Sequence, residues 1–180
     1  MNLPNKITLL RVILIPAFLM VYLLNPLPDI INKWLVLVLF VTAAITDAVD
    51  GYLARKLGLV TNIGKLMDPL ADKMLVCGAL VALVYTGDVP VWAVIIIISR
   101  EFYVSGLRQL ALEQNVVLAA TVSGKIKVAT QLTLIIYILV PPPVSILVIP
   151  QIIMALAVIA TLVSVYSAID YTRKNKGVFE

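Results

Sequence analysis

Six apolar runs, at residues 7–24, 34–53, 69–85, 91–112, 124–140 and 147–169, take up most of the chain. Each approaches the roughly 20 residues that an α-helix needs to cross the hydrocarbon core of a bilayer. Pro and Gly punctuate the joints, as NPLPD after the first run, TGDVP after the third and PPP after the fifth. Only 13% of the residues are charged, against about 25% in a soluble domain, and the mean hydropathy is +1.06. The expectation is an all-α integral membrane protein of six transmembrane helices, forming one domain over residues 1–180. The stretch LLRVILIPAFLMVYLL has no small-residue cleavage site after it and is expected to stay as the first span rather than leave as a signal peptide.

The basic residues predict an orientation. Lys6 and Arg11, then Arg55, Lys56 and Lys65, then Arg108, Lys125 and Lys127, and finally Arg173, Lys174 and Lys176 fall on one side of the bundle. The opposite joints hold Lys33. By the positive-inside rule both termini face the cytoplasm. The net charge of +4 then lies mostly on that face and draws anionic lipid and anionic substrates, with no nucleic-acid partner expected. Trp34, Trp92, Tyr22, Tyr85 and Phe179 lie near the predicted boundaries and read as interfacial anchors.

Against this apolar background, residues 47–72 hold four carboxylates: Asp47, Asp50, Asp68 and Asp72. The first pair is spaced i, i+3 and the second i, i+4, so each pair shares one helix face. Gly58 and Gly64 in the connection let the chain reverse, which sets the pairs opposite each other in an antiparallel hairpin. Four clustered carboxylates repel, so a cation holds them or some are protonated. The chain contains no His, and its single Cys77 sits in an apolar run and reads as packing. Any metal therefore has oxygen ligands, which selects hard cations, Mg²⁺ or Mn²⁺. Two such ions make a clamp suited to phosphoryl chemistry. The plainer reading, charge at helix ends, suits Asp68, which precedes Pro69 at a plausible helix start. It does not suit Asp47 and Asp50, which lie within an apolar segment, where ionisable groups mark function.

Written out, the stretch is D-x2-D-G-x2-A-R-x8-G-x3-D-x3-D, with Asp47, Asp50, Gly51, Ala54, Arg55, Gly64, Asp68 and Asp72 at its fixed positions. This resembles the full signature of the CDP-alcohol phosphotransferases, and the six-helix plan resembles that family over the whole chain. The resemblance implies that a CDP-linked lipid binds with its pyrophosphate on two metal ions, that an alcohol attacks the lipid-bearing phosphorus and that CMP leaves. It implies that Asp47, Asp50 and Asp68 hold the metals. It makes Asp72 the general base, also able to touch a metal. Gly51, Ala54, Arg55 and Gly64 then line the CDP-lipid pocket, with Thr61 added from the connecting loop. Asn5 and Thr8 also come within reach of the nucleotide, although N-capping of the first helix explains them nearly as well. A polar cavity facing the cytoplasm and opening sideways to lipid suits a CDP-diacylglycerol whose tails stay in the membrane. The resemblance also implies a homodimer in a bacterial plasma membrane.

Three further stretches bear on the acceptor. NLPNKITLLRVILIP, SREFYVSGLRQLA and SGKIKVATQ resemble the branch of the family that uses glycerol 3-phosphate, with Val128 standing where Thr is frequent. About ten residues at 1.5 Å each place Arg100 roughly 15 Å along its span, where an Arg faces a wet cavity or a partner. Arg108 and Lys127, then Arg100 and Lys125, are the candidates to cradle the acceptor phosphate. Two plainer readings stay open: Arg100 pairs with Glu101 or with an Asp of the cluster, and Lys125 is a snorkelling anchor. Transfer to inositol phosphate is the alternative within the family. A cation or proton transporter is the alternative outside it. That reading requires polar residues through the full depth of the bundle, whereas the outer half here is almost purely aliphatic.

Overall fold

The computed structural model describes residues 3–57, 62–114, 116, 118, 121–141 and 148–175, with side chains for 9–46, 70–71, 73–114, 116, 118, 121–141 and 148–175. Six helices are found among the described residues: α1 (Leu3–Leu24), α2 (Asp29–Leu57), α3 (Asn62–Tyr85), α4 (Val91–Glu113), α5 (Val122–Leu139) and α6 (Pro150–Lys174). Each overlaps one of the six apolar runs, and none of the described residues forms a strand. The chain divides into two compact units, one of residues 1–82 with 139–148 and one of residues 83–138 with 149–180.

In the first unit, α1 packs on α2. Ile15, Phe18, Val36, Phe40 and Ala43 form its buried face, and the rings of Phe18 and Phe40 meet at 5.5 Å. The NPLPD joint is built from local chemistry. Asn25 takes the left-handed conformation, φ 44°, which Asn tolerates at a helix end. Its side chain donates to Asp29 at 3.2 Å. The buried Asn32 side chain donates to the Val21 carbonyl at 3.1 Å and ties the two helix ends together. Gly78 of α3 lies so near α1 that a Cβ there would stand 3.4 Å from the Leu19 side chain.

The second unit begins where α3 ends. Gly87, at φ +81°, lets the chain close a Schellman turn in which its N–H reaches the Val84 carbonyl at 3.0 Å and the Asp88 N–H reaches Leu83 at 2.9 Å. In this unit α4 packs on α6. The buried face of α6 is Ala157, Ala160, Thr161, Ser164, Ser167 and Tyr171. Small side chains of this kind allow close helix approach where lipid supplies no hydrophobic drive. Thr121 caps α5, its hydroxyl accepting from the Gly124 N–H at 3.2 Å. Pro150 starts α6 at its first turn.

Among the described residues, three helices are long and apolar enough to cross a membrane: α2 over Asp29–Thr46, α5 and α6. Shorter apolar stretches cover Leu9–Leu24 and Lys73–Tyr85. The exposed surface carries many large apolar side chains, including Ile13, Met20, Ile95, Phe102, Leu162 and Tyr166. Such a surface is suited to lipid rather than water. The protein is therefore a membrane protein. Trp34, Trp92 and Tyr85 are exposed, as expected of interfacial anchors, while Tyr22 is half-buried and stacks on Phe18 at 6.1 Å. Phe179 lies outside the described residues. Cys77 is half-buried rather than enclosed.

The helices differ from the apolar runs at their ends. α2 starts at Asp29, ahead of its run, and α6 starts at Pro150, inside its run. Polar first turns extend a helix beyond what hydropathy marks, and Pro favours the first helical position. Two capping readings are corrected by these bounds. α3 begins at Asn62, so Asp68 is not at a helix start, and α1 begins at Leu3, so Asn5 and Thr8 lie within α1 rather than ahead of it.

Candidate functional site

The CDP-alcohol signature lies on two helices of the first unit. Positions 47, 50, 51, 54 and 55 fall on α2, and positions 64, 68 and 72 fall on α3. The backbone is helical through both Asp pairs, so the i, i+3 and i, i+4 spacings act as helical spacings. The side chains of Asp47, Asp50, Gly51, Ala54, Arg55, Gly64, Asp68 and Asp72, and of Asn5 and Thr8, lie outside the described residues, as does Thr61 altogether. The donor chemistry remains that of four carboxylates in a chain without His, which fits a hard divalent cation.

The second unit contains a polar seam. On α5, Ser123, Lys127 and Gln131 are buried at four-residue spacing. On α4, Arg100 and Glu101 face the same interior. Glu101 forms an ion pair with Lys127 and accepts from Arg100 Nη1 at 3.4 Å. The exposed fractions of the Arg100, Glu101 and Lys127 side chains are 9%, 11% and 7%. Arg100 also donates through Nη2 to Ser167 of α6 at 2.7 Å. Its Nε is buried and finds no hydrogen-bond partner among the described residues.

Arg108 lies further along α4. Its Nε donates to the Tyr171 hydroxyl at 3.0 Å, and its guanidinium carbon stands 5.5 Å from the centre of that ring. It lies eight residues beyond Arg100 on the same helix, roughly 12 Å at 1.5 Å per residue. Two more bonds close the seam. Ser123 donates to Asp170 at 2.6 Å, and Gln131 donates to Ser164 at 3.3 Å.

Of the four residues singled out for an acceptor phosphate, Arg100 and Lys127 thus meet on one buried carboxylate. Arg108 is exposed but held against Tyr171, and Lys125 is exposed. The pairing of Arg100 with Glu101, one of the plainer alternatives, is present. Sequence reasoning missed Glu101 as the partner of Lys127, and Ser167 and Tyr171 as supports. Only Glu101 carried a signal, a carboxylate beside Arg100 in an apolar run. A groove of about 360 Å³ is lined by Tyr103, Ala168, Ile169, Thr172 and Arg173. Its walls are mostly apolar.

Comparison with known proteins agrees with the signature. The sequence model of the CDP-alcohol phosphatidyltransferase family matches residues 1–163. The chain is 47% identical, over 144 residues, to a CDP-diacylglycerol–glycerol-3-phosphate 3-phosphatidyltransferase of Bacillus subtilis (strain 168), covering 73% of this chain and 72% of that protein. It is 35% identical over 173 residues to a probable phosphatidylglycerophosphate synthase of Mycobacterium tuberculosis (strain ATCC 25618 / H37Rv), covering 96% of this chain and 81% of that protein. A CDP-diacylglycerol–glycerol-3-phosphate 3-phosphatidyltransferase of Rickettsia bellii (strain RML369-C) is 39% identical over 132 residues, 73% of this chain and 71% of its own length. A family match over nearly the whole chain, joined to the eight-position signature on α2 and α3, means that this protein belongs to the CDP-alcohol phosphatidyltransferase family.

Proposed function

We propose that this protein transfers the phosphatidyl group of CDP-diacylglycerol to glycerol 3-phosphate, giving phosphatidylglycerol phosphate and CMP. A hydroxyl oxygen of glycerol 3-phosphate attacks the phosphorus that bears diacylglycerol. The new P–O bond forms as the pyrophosphate P–O bond breaks, and CMP carries away that electron pair. Asp72 takes the proton of the attacking hydroxyl, since an alcohol is a weak nucleophile until a base relieves it of that proton. Asp47, Asp50 and Asp68, with Asp72, hold two divalent cations, Mg²⁺ or Mn²⁺, which when bound neutralise the pyrophosphate and absorb charge on departing CMP. Gly51, Ala54 and Gly64 leave room for the nucleotide, and Arg55 offers a forked donor to its phosphates. Thr61, Asn5 and Thr8 complete that pocket.

The observation that best supports a phosphorylated acceptor is the buried cluster of Arg100 and Lys127, in which one guanidinium donor has no partner among the described residues. Arg108 adds a third cation nearby, and Lys125 draws the acceptor in from the surface. A phosphomonoester is the small ligand that such a set of donors suits. The protein acts in a bacterial plasma membrane, crossing it several times as a homodimer, with both termini and a polar active-site cavity on the cytoplasmic side. The test is transfer from CDP-diacylglycerol to labelled glycerol 3-phosphate by purified protein with Mg²⁺, with inositol phosphate and serine in parallel. Metal-dependent phosphatidylglycerol phosphate formation, lost in Asp72→Asn, supports the reading. Transfer to inositol phosphate instead overturns the acceptor assignment, and no transfer to any acceptor overturns the reaction.

A further inference from the structure

Glu101 is out of place in a site built for anions. It is buried, it lies between two of the cations proposed to hold the acceptor phosphate, and it takes Lys127 in a close ion pair. A carboxylate there opposes phosphate directly. Its presence is explained by counting charge. Asp170 and Lys174 are ion-paired and cancel, and Lys125 is exposed at the surface. Of the remaining groups, Arg100, Lys127 and Arg108 supply three positive charges and Glu101 one negative, 3 − 1 = +2. A phosphomonoester carries about −1.5 to −2 at neutral pH.

We propose that Glu101 is a specificity-determining residue that sets the charge of the acceptor site to match one phosphomonoester dianion. The inference rests on the acceptor reading above. Without Glu101 the buried Arg100 and Lys127 are left uncompensated in a poorly solvated interior, beside the exposed Arg108, and there any small anion relieves the cost. With Glu101, Lys127 and Arg100 are held in place while the site waits, and one dianion brings the cluster to neutrality. The buried Nε of Arg100, which has no hydrogen-bond partner among the described residues, is the donor assigned to that ligand. Neutral or zwitterionic alcohols leave the site at +2 and bind poorly. The same balance lets the product go, because its phosphate monoester is held no more tightly than that of the substrate.

The test compares Glu101→Gln, Glu101→Asp and wild type, all in detergent, by kinetics and by calorimetric binding of inorganic phosphate. Removing one full charge from ion-pair distance of two binding cations changes anion affinity by about tenfold or more. Glu101→Gln is expected to lower KM for glycerol 3-phosphate and the Kd for inorganic phosphate by about that factor. It is expected to lower kcat through slower product release and to leave KM for CDP-diacylglycerol in place. Glu101→Asp keeps the charge and is expected to stay near wild type. A purely structural Glu101 predicts the opposite sign, a raised KM with weaker phosphate binding, and that result or an unchanged Kd overturns the proposal.

If Glu101→Gln fails to fold, the double variant Glu101→Gln with Lys127→Gln restores a net +2. It is expected to bind phosphate better than Lys127→Gln alone, and equal or worse binding overturns the proposal. The phosphate-binding arm needs no turnover. A wild type that transfers nothing to glycerol 3-phosphate therefore counts against the acceptor reading, while the charge balance at Glu101 is still read out.

Discussion

Lys127 of α5 and Glu101 of α4 are ion-paired in the protein interior, with only 7% and 11% of their side chains exposed. Breaking a buried pair by removing one partner leaves the other charge uncompensated, at a cost of about 3–5 kcal/mol. Lys127→Met is therefore expected to lower the melting temperature of the detergent-solubilised protein clearly. It is also expected to raise KM for glycerol 3-phosphate more than about tenfold. A variant with wild-type KM removes Lys127 from the acceptor site.

The Tyr171 hydroxyl orients Arg108 without adding charge. Tyr171→Phe removes that acceptor but keeps the ring beneath the guanidinium. The lost bond is worth about 0.5–1.5 kcal/mol. A rise of a few-fold in KM for glycerol 3-phosphate, with KM for CDP-diacylglycerol unchanged, is the expected outcome in steady-state kinetics. Equal changes in both constants indicate a general loss of structure instead.

The small-residue face of α6 sets how closely that helix is packed. Ala160 is completely buried, so Ala160→Leu overpacks the site and is expected to cost about 1–3 kcal/mol. Leu162, two positions on, is 63% exposed, and Leu162→Ala is expected to change thermal stability little. Comparable melting temperatures for the two variants contradict the observed facing of α6.

Chelation with EDTA is expected to abolish transfer, and Mg²⁺ or Mn²⁺ to restore it. Asp72→Asn removes the proposed base, and base catalysis contributes about 10²–10⁴-fold in rate. A loss of that size in kcat at saturating metal, with metal affinity largely kept, is the result expected of a base. A loss repaired by raising the metal concentration assigns Asp72 to metal holding alone.

Much of this protein is legible in one dimension. The six helices follow from the length and composition of the apolar runs, and three of them are long and apolar enough among the described residues to cross a membrane, where a spanning segment must satisfy its own backbone hydrogen bonds. The family follows from eight residues at fixed spacing across α2 and α3. The joint at Asn25 and the turn at Gly87 were visible as punctuation because their conformations are local. The helix starts at Leu3 and Asn62 were less visible, since their first turns are too polar to register as apolar runs.

The sequence alone determined the helical architecture, the reaction family and the supply of cations, since each depends on neighbours along the chain. Only the tertiary structure decided which cation meets which carboxylate. Lys125 and Lys127 are two residues apart, about 200° around a helix, so they face nearly opposite ways and only one can turn inward. Packing chose Lys127, and brought to it a Glu101 that is 26 positions earlier in the chain, 127 − 101 = 26. Hydropathy records how greasy a helix is, but which face it turns to its neighbours depends on the shapes and charges of helices far away in sequence.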